Sequence, residues 1–186
     1  MLHCRAHKSR DLQKKRLAGV KRGGQAKRNQ RIQTTREIEE RSIMEIGKIS
    51  PRELFLIDVI LYWAEGSKQK EHNPSERVIF SNSDALMIAV FINWLKKVGI
   101  PEDQMNISLY IHVTARHRVE EIARYWSKSL KLRINKLEKI YYKRVSSKSF
   151  RRNVGTEYYG QVRVTVKKST NLNRRIHGWV LGITKG

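Results

Sequence analysis

Residues 50–66 read Ser-Pro-Arg-Glu-Leu-Phe-Leu-Ile-Asp-Val-Ile-Leu-Tyr-Trp-Ala-Glu-Gly, the most apolar run in a very basic chain. Three signals coincide at its start. Ser50 can cap a helix, Pro51 suits the first helical position, and Glu53 completes a Ser-x-x-Glu capping box. From Leu54 to Ala64 the only charged residue is Asp58. A helix apolar on nearly every side is expected to be buried on nearly every side. Roughly 14 residues fall short of the about 20 that a bilayer span requires, so the stretch reads as a core or interface helix. It carries Glu65 to its C-terminal end, where Gly66 stops it. Asp58 lies seven residues before Glu65, on roughly the same face. It is expected to be buried and satisfied by a Ser, Thr or Arg, or else to stand behind Glu65 as a supporting acid.

Charge says what such a helix is set among. Lys and Arg number 39 against 17 Asp and Glu, a net charge of +22 over 186 residues, which calls for a polyanionic partner. Residues 1–50 hold 14 basic and 5 acidic residues, residues 51–130 hold 10 of each, and residues 131–186 hold 15 and 2. Two basic regions flank a neutral middle. Membrane-surface binding would want a basic amphipathic helix with a clean apolar face, and the N-terminal region has few apolar residues before Ile43. Nucleic acid is the better fit, and no membrane association is expected. Cys4 is the single cysteine, so no intrachain disulfide can form. Its cluster with His3 and His7 is read as incidental rather than as a zinc site. Without an apolar leader, the chain is expected to be intracellular and not secreted.

The chain divides into a basic N-terminal arm, 1–50, and a globular part, 51–186. Residues 1–36 are dominated by Lys, Arg, Gln, Asn and Gly, and Gly23-Gly24 is expected to interrupt any helix there. The arm reads as disordered or partly helical, lying along phosphates or simply solvated. Residues 34–48 turn helical, with Ile38, Ile43, Met44 and Ile46 on one side and Gly47 as the end. After the central helix, Asn73-Pro74-Ser75 marks a turn between a short strand near Lys68–Lys70 and a stronger one at 77–81. Met87, Val90, Phe91, Trp94, Leu95 and Val98 follow helical spacing, closed by Gly99 and Pro101. Residues 106–114 alternate as a half-buried strand, 118–130 form an amphipathic helix, and 136–145 and 160–168 form two more strands around a basic loop containing Gly155. Leu172, Ile176, Trp179 and Val180 indicate a closing helix. No internal repeat stands out.

The outward faces of the strands carry the chemistry. With Val162, Val164 and Val166 turned to the core, Gln161, Arg163, Thr165 and Lys167 form one row, and Lys139, Tyr141 and Lys143 form another. Arg and Lys can read guanine edges or hold phosphates, and Gln and Thr can read adenine or thymine edges. Against an ordinary solvated sheet face, the scarcity of acids in this third of the chain favours DNA binding. Glu65 is a separate matter, since a carboxylate beside phosphates is unfavourable unless a cation lies between them. Mg²⁺ plays that part in phosphodiester hydrolysis, held by one or two carboxylates with phosphate oxygens and water. A single Glu is too few ligands, whereas two chains could each supply one. On residue chemistry alone, Glu65 is as readily a helix-end residue meeting solvent or Lys68.

Leu61-Tyr62-Trp63-Ala64-Glu65-Gly66, at the end of an apolar helix, resembles the signature helix of the LAGLIDADG homing endonucleases, which ends in a small residue, an acid and a glycine. Phe80-Ser81-Asn82-Ser83-Asp84 and the helix ending Leu95-Lys96-Lys97-Val98-Gly99-Ile100 continue the likeness, which spans about residues 52–182. It implies an α+β fold: an αββαββα unit whose curved antiparallel sheet is covered by helices on one face and lies in the DNA major groove, with an additional helix at 118–130. It implies that this single-motif chain acts as a homodimer. The signature helices would meet through Ile57, Leu61, Ala64 and Gly66, and Glu65 would bind Mg²⁺ as the catalytic acid. Lys68 and Lys139 are candidates for the basic residue that often assists cleavage in the family, and Lys68 and Lys70 join the DNA-binding set. The chain departs from the family in having Val59 and Ile60 where small residues bring the helices together, and Glu in place of the commoner Asp. The leading expectation is a sequence-specific, Mg²⁺-dependent double-stranded DNA endonuclease. A non-catalytic DNA-binding regulator of the same fold is the alternative, and an RNA-binding protein that assists splicing is a third.

Overall fold

The computed structural model describes residues 2–67, 77–133, 137–144 and 157–185, with the side chains of 2–12, 14 and 138 outside the description. The expected strand near Lys68–Lys70, the Asn73-Pro74-Ser75 turn, the loop around Gly155 and the side chains of His3, Cys4 and His7 all lie outside the described residues. The chain divides into two units, Met1–Ile49 and Ser50–Gly186.

The first unit is one helix, α1 (Leu2–Ile46), ended by Gly47 at φ +62. The expected break at Gly23-Gly24 does not occur. A glycine costs a helix about 1 kcal/mol relative to alanine, which lowers stability without forbidding the conformation, and the surrounding Lys, Arg, Gln and Ala are strong helix formers. Every described side chain of α1 is exposed. Its pairs are local, such as Gln25 to Asn29, Gln33 to Glu37 and Arg36 to Glu40.

The second unit is α+β: α2 (Pro51–Glu65), β1 (Ile79–Asn82), α3 (Ala85–Lys97), β2 (Met105–His112), α4 (Val119–Leu130), β3 (Leu137–Lys143), β4 (Gln161–Val166) and α5 (Thr170–Lys185). The capping box forms in full, with Ser50 Oγ accepting from the Glu53 N–H and the Glu53 carboxylate accepting from the Ser50 N–H. Asp84 caps α3 by accepting from the Leu86 and Met87 N–H groups. Strand order is β1-β4-β2-β3. β1/β4 and β4/β2 pair antiparallel, but β2 and β3 run parallel, so the sheet is mixed rather than antiparallel as the resemblance implied. The connection containing α4 is long enough to carry the chain back to the starting end of β2, which a tight hairpin cannot do.

Alternation along β2 and β4 is clean. Ile107, Leu109, Ile111, Val162, Val164 and Val166 are buried, and the residues between them are half-buried on the other face. The buried face joins a single core with Val59, Tyr62, Ile88, Phe91, Trp94, Leu95, Ile122, Trp126 and Ile176 from the four helices of this unit.

Helix α2 departs from the expected burial. Asp58, Val59 and Tyr62 are buried, but Ile57, Ile60 and Trp63 are 46%, 41% and 45% exposed. Only one side of the helix meets the core, so an apolar strip faces outward.

Candidate nucleic-acid interface

The open face of the sheet is assembled by register. Ser81, Arg163, Ser108 and Lys139 lie abreast on β1, β4, β2 and β3, and Gln161, Tyr110 and Tyr141 lie abreast in the next row. At about 4.8 Å between strands, this grid is roughly 14 Å across, comparable with the about 12 Å width of the DNA major groove.

Arg163 is held from two neighbouring strands. Its Nε donates to Ser81 Oγ and its Nη1 to the Tyr110 hydroxyl, each at 3.0 Å, and its guanidinium lies 4.6 Å from the Tyr110 ring centre. Tyr110 stacks in turn on Tyr141, with ring centres 4.7 Å apart and planes 14° apart. Lys143 completes the group, with Nζ 5.1 Å from the centre of the Tyr110 ring and donating to Gln161 Oε1 at 3.0 Å. Gly160, at φ +73, brings the chain against the Tyr110 carbonyl as β4 begins, where a Cβ would stand 2.5 Å away. Two hydrogen bonds and a stacked ring hold the Arg163 fork with little rotamer freedom left to lose on binding.

The other expected contact residues fall as follows. Thr165 lies on β4, half-buried on the open face. Lys139 and Tyr141 are exposed on edge strand β3. Lys167 lies just beyond β4, and its Nζ donates to the Asp103 carbonyl at 2.9 Å, which draws it away from the row. Lys68 and Lys70 are outside the described residues. Ser81 and Tyr110 were missed as site residues by the sequence reading. Tyr110 has the right parity on its strand, but only the cross-strand register shows that it and Ser81 hold Arg163.

Glu65 is the exposed last residue of α2. Gly66 follows in extended conformation, φ −77 and ψ 166, so its glycine serves space rather than a left-handed turn. A Cβ there would stand 2.5 Å from the Tyr62 carbonyl oxygen and 2.6 Å from its ring. Gly66 bridges to Phe80, and the Ser67 N–H donates to the Ile79 carbonyl at 2.9 Å, so the helix end is tied to the edge of the sheet. Ile57 and Ala64 are exposed, Leu61 is half-buried against the core, and Gly66 is half-buried against Tyr62.

Asp58 is fully buried, and neither carboxylate oxygen has a hydrogen-bond partner among the described residues. The expected Ser, Thr or Arg partner is therefore not found there. Burial pushes its carboxyl up from an ordinary 3.8 to about 6, opposed by the charge of Lys97. Burial also raises the Tyr62 phenol to about 12.

Among the described residues, no group of three or more His, Cys, Asp or Glu side chains could hold a metal ion. Glu65 is the one carboxylate among the described residues at the end of α2; two copies brought together there would offer two, which with phosphate oxygens and water would suit Mg²⁺. No helix among the described residues is long and apolar enough to cross a membrane. Comparison of the chain with protein-family models, with curated proteins and with solved structures finds no match.

Proposed function

We propose that the chain binds double-stranded DNA on the open face of its mixed sheet and cleaves it as a Mg²⁺-dependent homodimer, an endonuclease of LAGLIDADG type in mechanism. The observation that carries the reading is the cationic face in which Arg163, set by Ser81 and Tyr110, stands among Lys139, Lys143 and Gln161. A rigid planar fork with neighbouring amide and ammonium groups suits guanine recognition and phosphate contact together.

The strip of Ile57, Ile60 and Trp63 supports self-association through α2. Exposed apolar side chains along one helix cost free energy in water until they are covered, and a two-fold partner would cover them with its own copy. Two Glu65 carboxylates would then share one centre, and Mg²⁺ held there would supply the Lewis acid for hydrolysis. This chain's own residues position the duplex and carry the carboxylates to the helix ends.

Cleavage of a plasmid or a randomised duplex library with Mg²⁺ tests the reading. Wild type is expected to cut and Glu65→Gln to bind without cutting, a loss of at least about 100-fold. Equal cleavage by both proteins would remove Glu65 from the centre. The bulk of Ile60 and Trp63 on the exposed side of α2 favours a second reading, a regulator that binds DNA without cutting. It is recognised by sequence-dependent binding with no nicking at any Mg²⁺ concentration.

A further inference from the structure

Helix α1 stands apart from this reading and carries an inference of its own. Between Asp11 and Glu37 the chain contains no acid, and from Lys15 to Arg31 it carries seven basic residues in three doublets plus Arg31: Lys15-Arg16, Lys21-Arg22 and Lys27-Arg28. The doublets are six residues apart, a spacing that acquires meaning only because the segment is helical. At about 100° per residue they point in three directions roughly 120° apart. The helix is therefore cationic around its circumference, and every side chain from Lys15 to Arg31 is exposed.

The circumference is not uniform. Gly19, Gly23 and Ala26 fall on one line at i, i+4 and i+7, and Gln30 continues it at i+11. Three positions on that line are nearly bare backbone, and the fourth carries a neutral amide. Lys15 and Arg22 lie about 60° to one side of the line, Arg16 and Lys27 about 60° to the other, and Lys21 and Arg28 on the back. Among the described residues, a Cβ at Gly19 or Gly23 would meet no atom within 4 Å. Each glycine nonetheless costs the helix about 1 kcal/mol relative to alanine. The smallness suits a surface outside the molecule.

We infer that α1 is a second DNA-binding element that inserts lengthwise into the major groove, its uncharged line toward the base edges and its two basic rows toward the two phosphate backbones. Charge complementarity sets the partner as a polyanion, and shape sets it as duplex DNA. A helix 10–12 Å across fills a groove about 12 Å wide, whereas the major groove of duplex RNA is too deep and narrow to admit it. The line from Gly19 to Gln30 spans about 16 Å, roughly five base pairs. The glycines and Ala26 let the backbone approach the groove floor, and the Gln30 amide is of the type that pairs with an adenine edge there. Neutralising the basic rows also relieves like-charge repulsion within the helix, such as that of Lys27 with Arg31. The inference shares its partner, duplex DNA, with the reading of the sheet but rests on the charge and shape of α1.

The test uses the full chain and a fluorescent duplex, with affinity measured across a salt series and helicity followed by circular dichroism. Replacing Lys15, Arg16, Arg22 and Lys27 together with Gln is expected to reduce the slope of log K against log salt by about 3.6, from 0.9 per phosphate. The back-face pair Lys21→Gln with Arg28→Gln is expected to leave the slope nearly unchanged. Gly23→Leu is expected to raise the helicity of the free protein, leucine being a strong helix former, yet to weaken binding at least tenfold because the groove floor can no longer be approached. Equal slopes for the flank and back-face variants, undiminished binding by Gly23→Leu, or tighter binding to a structured RNA of the same length would each overturn the inference. If Arg163→Ala leaves binding untouched while the flank variant lowers the slope, the sheet reading fails and this one stands.

Discussion

Asp58 is the residue whose environment least resembles what its chemistry asks for. It sits on the core side of α2, with both oxygens buried and without hydrogen-bond partners among the described residues. Burial penalises its charged form, so its folded-state value rises to about 6 from an ordinary 3.8. The sign follows from linkage: the folded state binds this proton more tightly than the unfolded chain does. The associated stability is fully present below about pH 4 and is lost as pH rises through 6, by about 3 kcal/mol in all. Asp58→Asn removes the titration while keeping shape and polarity. The variant should match wild type near pH 4 and exceed it by up to about 3 kcal/mol at pH 7.5, measured by urea unfolding at several pH values. A stability difference that does not change with pH would show that Asp58 does not ionise in place. Sequence reading anticipated the burial, because Asp58 lies in an apolar run, but supplied a partner that the described neighbours do not offer. A polar residue's partners come from other elements, and their placement is not written in local spacing.

At the level of helices and strands, the features set by short-range patterns were legible. The capping box fixed the start of α2, Asp84 the start of α3, and the alternation in β2 and β4 separated core from open face. Two features were not. Gly23-Gly24 read as a break, yet glycine only weakens a helix whose other residues favour it. The parallel pairing of β2 with β3 was also hidden, because a strand with one covered face alternates the same way whichever direction its neighbour runs. For α2, composition was legible but exposure was not: an apolar helix was expected to be buried all round, and Ile57, Ile60 and Trp63 are instead open to solvent. If that strip joins two copies, Ile60→Glu places two carboxylates in the joint and should shift a dimer to monomer in sedimentation, with folding unaffected because the position lies outside the core. Cleavage should fall with dimerisation, while one copy keeps its sheet for weaker binding to a half-length duplex. A variant that remains dimeric would exclude this face of α2 from the joint.

Taken as a whole, the chain places its charge unevenly, and the unevenness separates two kinds of contact. The 51–130 segment is balanced, and the excess of +22 lies in residues 1–50, which contain α1, and in the C-terminal third that supplies β3 and β4. The existence of a cationic sheet face could be read from alternation in β4 together with composition. Which cations are fixed and which are free could not, since that depends on Ser81 and Tyr110 reaching across strands. Lys139 is exposed on an edge strand, suited to hold a phosphate regardless of sequence. Arg163 is clamped at the centre of the sheet, suited to read a base. Their substitutions should therefore differ in kind. Lys139→Ala should weaken binding to all duplexes alike and lower the salt slope by about 1, whereas Arg163→Ala should cost about 1–3 kcal/mol on the preferred sequence and relax preference at one base pair. Selection from a randomised duplex library, repeated at two salt concentrations, distinguishes them. If both variants lose affinity uniformly, the clamp on Arg163 serves only to hold charge in place. A binding constant that does not change with salt would contradict nucleic-acid recognition by either region, because a surface with this excess of cations cannot bind a polyanion without releasing counterions.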